Sequence, residues 1–97
     1  MTKLFVFKDF IPHLRTHFEV TGDAPVALEL TTATDLSNAR LEQFSLIFSG
    51  SASPYLLQGL YELTHPRMGK IELFLVPLGQ DEVGMRYEAV FSRFLER

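Results

Sequence analysis

Residues 61–91 read YELTHPRMGKIELFLVPLGQDEVGMRYEAVF, three strand-like runs separated by two short loops that each contain glycine. Apolar side chains recur at every second position, at Tyr61 and Leu63, then Ile71, Leu73 and Leu75, then Tyr87, Ala89 and Phe91. A period of two places such residues on one face of a strand. In His65-Pro66-Arg67-Met68-Gly69, Pro66 presets a turn and Gly69 is free to take a positive φ. Pro77 is expected to end the middle run, and Gly79-Gln80-Asp81-Glu82-Val83-Gly84 forms the second loop. Loops this short join antiparallel neighbours, so the segment predicts a meander. Phe74 and Val76 make the middle run apolar on both faces, which predicts a central strand rather than an edge.

The same period extends toward the N-terminus. Phe44, Leu46 and Phe48 alternate with Ser45 and Ile47 before the turn-forming cluster Ser49-Gly50-Ser51-Ala52-Ser53-Pro54. Val26, Leu28 and Leu30 alternate with Ala27, Glu29 and Thr31, and Phe18 and Val20 oppose His17 and Glu19 ahead of Thr21-Gly22-Asp23. Residues 34–42 read as a polar loop or irregular edge, and Phe94 and Leu95 either continue the last strand or curl into a helical turn. Only the beginning differs. Leu4, Phe7, Ile11 and Leu14 recur at helical spacing, and Asp9 as N-cap with Pro12 in the first turn predicts one short helix over residues 9–15. Helix does not alternate with strand, which argues against a parallel α/β fold. The expected fold is mostly β: a small antiparallel barrel or strongly bent sheet of about six strands with one short N-terminal helix; closing, with the helix over an open end, is one way such a sheet hides its edges, and the sequence leaves strand order and closure open.

Ninety-seven residues, 46% of them hydrophobic, suit a single domain spanning 1–97 and exclude a disordered chain. No apolar run approaches the roughly 20 residues of a membrane helix. Nine Lys and Arg against twelve Asp and Glu leave a net charge of −3, with no excess of cations to displace phosphate counterions, so neither nucleic acid nor membrane is an expected partner. The lack of cysteine excludes disulfides, thiolate metal sites and a cysteine nucleophile. Residues 1–8 lack a secretory cleavage pattern, and the expected address is the cytoplasm.

Four motifs, Phe44-Ser45-Leu46-Ile47-Phe48-Ser49-Gly50, Gln58-Gly59-Leu60-Tyr61-Glu62-Leu63-Thr64-His65-Pro66, Leu73-Phe74-Leu75-Val76-Pro77-Leu78-Gly79 and Tyr87-Glu88-Ala89-Val90-Phe91-Ser92-Arg93, resemble a family of uncharacterised bacterial domains of about this length and unknown function. The likeness extends to the opening segment around Asp9, Phe10, Pro12 and Leu14. It implies a small, mostly β fold of bacterial origin and brings no activity, cofactor or catalytic residue with it.

His13 and His17 are four apart, but the helix is expected to end between them and no Glu follows His13, so they read as solvent-facing imidazoles rather than metal ligands. Gly50-Ser51-Ala52-Ser53-Pro54 supplies only the first glycine of a nucleophile elbow. No Walker or Gly-x-Gly-x-x-Gly sequence occurs, and no cofactor is expected. Glu62, Glu72 and Glu88 read as an exposed ladder facing Arg67, Arg86 or Arg93. Phe44, Phe48, Phe74 and Phe91 are expected to pack together in the core. Two places remain for binding. His65 stands at a tight turn beside Arg67, either as a loop binding residue or as an imidazole hydrogen-bonded to a backbone carbonyl. Tyr55, Leu56 and Leu57 form an uncharged cluster in a connection, either folded over a barrel end or presented to a partner. The expectation is a non-catalytic interaction module or small accessory subunit that binds another protein or a second copy of itself. The alternative is a small-ligand barrel using Tyr55, His65 and Arg67 at one end.

Overall fold

The computed structural model describes residues 5–22 and 25–94; Leu4, Asp23 and Leu95, which entered the expectations above, lie outside the described residues. The chain opens with a one-turn helix, α1 (Phe7–Phe10), continued by a 3-10 turn over Ile11–His13. Asp9 occupies the third helical position rather than the N-cap. Its carboxylate accepts the Val6 N–H at 2.9 Å while its own N–H donates to the Val6 carbonyl at 2.9 Å, so the N-cap is Val6 and the helix starts at Phe7, ahead of the expected range 9–15. Pro12 lies in the first turn of the 3-10 segment, where no N–H is required.

Six antiparallel strands follow: β1 (His17–Val20), β2 (Val26–Asp35), β3 (Leu41–Gly50), β4 (Gly59–His65), β5 (Gly69–Gln80) and β6 (Met85–Phe94). They close in the order β1-β2-β3-β6-β5-β4. The topology is two three-stranded meanders joined twice. One joint is the long β3–β6 ladder from Leu41↔Phe94 to Gly50↔Met85. The other is a short seam of β1 on β4 through Glu19↔Thr64 and Val20↔Leu63. The predicted meander of residues 61–91 is β4-β5-β6, and Gly69 takes its positive φ of 79° at the first turn. At the second turn, a Cβ on residue 84 would overlap the Gly50 carbonyl oxygen, so only glycine fits there.

The alternating residues fill one core. Phe18, Val20, Leu28, Leu30, Phe44, Leu46, Phe48, Leu63, Ile71, Leu73, Leu75, Tyr87 and Ala89 are buried inside the ring. Phe10 plugs the helix end, with its ring 5.8 Å from Phe44 and 5.6 Å from Phe91, and those two rings stack at 4.5 Å.

Three local expectations are corrected. The loop expected over 34–42 narrows to residues 36–40, because β2 runs on to Asp35 and β3 begins at Leu41. A bulge between Leu30 and Thr32 shifts the inward set from Leu28 and Leu30 to Ala33, and this change of phase hid the second half of β2. Pro77 does not end β5 but sits inside it at a second bulge, between Pro77 and Gly79, where a missing N–H is tolerated. Phe74 is not in the core: it lies on the outer face of β5 and is 49% exposed. β5 is flanked by two strands, as expected, but a closed ring of strands covers only its inner face.

Candidate functional site

His65 ends β4, and its ring is buried at 7% exposure rather than offered from a loop. Nδ1 accepts the backbone N–H of Arg67 at 3.1 Å and of Met68 at 3.3 Å, so the ring holds the turn through amides and not through a carbonyl. Two donors on Nδ1 place the ring proton on Nε2, which donates to Thr16 Oγ1 at 2.9 Å, and that hydroxyl donates onward to the His13 carbonyl at 2.6 Å. The relay ties the β4–β5 turn to the segment leaving the helix. Phe18 and His13 flank the imidazole at ring-centroid distances of 4.4 and 4.6 Å. Burial, with His13 and Arg67 nearby, holds the His65 pKa below its ordinary 6.5.

This fixed ring is the floor of a cleft. His13, His17, Thr16 and Arg67 surround it, with Pro12 and Pro66 as apolar walls. Taken alone, His13 and His17 read as separate solvent-facing rings, and only the β1–β4 seam brings residues 12–17 and 65–67 together. The signal available beforehand was modest: every histidine of the chain falls in these two segments. Among the described residues no three His, Asp or Glu side chains converge to hold a metal ion.

The loop over residues 51–58 lies at the other end. It leads into Gly59 at the start of β4, whereas His65 closes that strand, and seven strand residues span about 20 Å. Tyr55 therefore does not share a site with His65 and Arg67, which corrects the expected ligand set. The loop itself is divided. Leu56 packs against the core and its N–H donates to Tyr87 Oη at 2.8 Å, while Tyr61 Oη donates to the Leu57 carbonyl at 2.6 Å. Burial raises the pKa of the Tyr87 phenol, which keeps it neutral. Tyr55 and Leu57 remain 49% and 70% exposed.

A larger apolar feature lies on the outer face. Leu60 pairs with Phe74 across β4 and β5. Leu60 and Phe74 are both exposed, and on β6 Val90 is exposed as well, beyond the last β5–β6 pair, Val76 with Glu88. Next to it the expected charge ladder is replaced by a different arrangement. Glu62 and Glu72 stand directly opposite each other, a like-charge pair. Arg86 pairs with Asp81 at 3.8 Å, Arg93 pairs with Glu42, and Glu88 accepts the Ser45 hydroxyl at 2.8 Å. Arg67 has no carboxylate partner among the described residues.

Among the described residues no helix is long and apolar enough to cross a membrane. No curated protein and no solved structure matches the chain significantly. The family model described as a domain of unknown function (DUF6916) matches residues 5–91, nearly the whole barrel with its helix, and the chain belongs to that family.

Proposed function

We propose that this domain is a non-catalytic interaction module, a small accessory subunit that docks another protein through the outer face of β4, β5 and β6 in a bacterial cytoplasm. The observation that carries the reading is the exposed cross-strand pair Leu60 and Phe74 beside the opposed carboxylates Glu62 and Glu72. Apolar side chains set on rigid paired strands lose little entropy on binding, and like charges facing each other across strands are destabilising until a cation comes between them. The face therefore suits a partner with an apolar anchor next to a Lys or Arg. A second copy brings the same carboxylates and the same net charge of −3, so a different protein is the occupant in this reading. Tyr55 and Leu57, in the loop that leads into β4, are exposed apolar side chains as well.

The test is mild cross-linking of the tagged protein in its own lysate, with mass spectrometry of what co-purifies and sedimentation of the purified chain. A stoichiometric partner is expected, lost in Leu60→Ser/Phe74→Ser and in Glu62→Lys/Glu72→Lys while both variants keep the wild-type Tm. Recovery of the protein alone, or a partner retained by both variants, removes this face as the interface.

A further inference from the structure

The helix end of the ring carries a concave surface that the docking face does not use. His13, His17 and His65, all the histidines of the chain, line a cleft of about 490 Å³ with Arg67, and no carboxylate lines it. This volume lies within the ordinary range for small-molecule sites. His65 is the floor, because both of its ring nitrogens are already bonded. The walls are different. The imidazoles of His13 and His17 make no hydrogen bond or ion pair among the described residues, and the exposed Arg67 guanidinium has no carboxylate partner there. Each neutral imidazole keeps one N–H to donate, and a guanidinium presents a fork that matches two oxygens at once. In a chain of net charge −3 the part of the cleft lined by His13, His17 and Arg67 between two proline rings carries no carboxylate, with Glu19 in the adjoining part and Glu29 opposite His17 across β1 and β2. Metal binding is not its natural use, since no three ligating side chains converge among the described residues.

We propose that this cleft binds a small organic anion, whose single carboxylate or phosphate group is held by Arg67, His13 and His17 while an apolar body lies between Pro12 and Pro66. Glu19 lines the adjoining part of the cleft, which shares His17, His65 and Pro66, and repels a second negative group.

The experiment is an NMR titration of the full chain with benzoate, phenyl phosphate and phthalate, following the imidazole signals and the Arg67 side-chain N–H. Saturable shifts are expected for benzoate or phenyl phosphate, the tighter of the two identifying the head group, with phthalate weaker than benzoate. Arg67→Gln should weaken binding at least about tenfold, a loss of roughly 1.4 kcal/mol. His17→Gln should weaken it less. Both side chains are exposed, so the Tm should hold, and Arg86→Gln, next to the β5–β6 turn, should bind as wild type. No saturable shift with any of the three, equal affinity in Arg67→Gln, or phthalate binding as tightly as benzoate would overturn the proposal. Unchanged binding in Leu60→Ser/Phe74→Ser separates it from the docking face.

Discussion

The two ends of the ring are closed by opposite means. At the helix end a polar ring is buried and every one of its nitrogens is used: His65 joins two turn amides to Thr16 and, through it, to the His13 carbonyl. At the loop end two phenols reach out from the wall, Tyr87 to the Leu56 amide and Tyr61 to the Leu57 carbonyl, and hold a loop in which Leu56 packs on the core while the Tyr55 and Leu57 side chains stay exposed. A buried group with complete hydrogen bonding cannot serve a ligand without giving up its structural role. A pinned backbone leaves its neighbouring side chains free. The difference explains why His65, the residue most conspicuous in the sequence, is scaffold, while Tyr55, Leu57, His17 and Arg67 remain available.

The contrast is tested most severely by removing a plug. Phe10→Ala takes the ring that closes the helix end against Phe44 and Phe91, and should cost about 3 to 5 kcal/mol in denaturant unfolding. A loss below about 1 kcal/mol would mean that the helix merely rests on the ring.

The histidine comes second. His65→Leu leaves the Arg67 and Met68 amides without their acceptor and should cost about 1 to 3 kcal/mol near neutral pH. Its pH dependence has a definite sign. With the folded-state pKa held below 6.5, the unfolded chain takes up the proton first, so the stability from the neutral ring is complete above 6.5 and is lost as pH falls below it. The gap in Tm between wild type and His65→Leu should therefore narrow on acidification. A gap independent of pH would show that the ring is not buried in its neutral form.

The smallest effect belongs to the loop end. Tyr55→Ser/Leu57→Ser should change stability by no more than about 0.5 kcal/mol, because both side chains are largely in solvent. Leu56 is excluded from that pair since it packs on the core. A large loss of Tm in the double variant would place the exposed residues in the fold after all.

Much of the inner face was legible because burial on a strand repeats every two residues. Phe44, Leu46 and Phe48, or Ile71, Leu73 and Leu75, announce their direction without any tertiary information. The misreadings occur where that register is interrupted. The bulge after Leu30 reverses which residues face inward, and Pro77 is accommodated by a bulge that local sequence does not mark. Phe74 shows a different limit. A run apolar on both faces states that both are apolar, and says nothing of whether anything covers the outer one.

What the amino-acid order determined by itself is local and periodic: the six strands, the meander of residues 61–91, the glycine at position 69 and the inward phenylalanines other than Phe74. Those features follow from backbone sterics and from alternation, which act over a few residues. The candidate sites belong to the tertiary structure alone. Closure of β1 onto β4 brings His13 and His17 over His65 and beside Arg67, and the antiparallel course of β4 sends Tyr55 to the opposite end. Residues about fifty positions apart become neighbours only when the ring closes, and closure is decided by the whole core rather than by any segment of the chain.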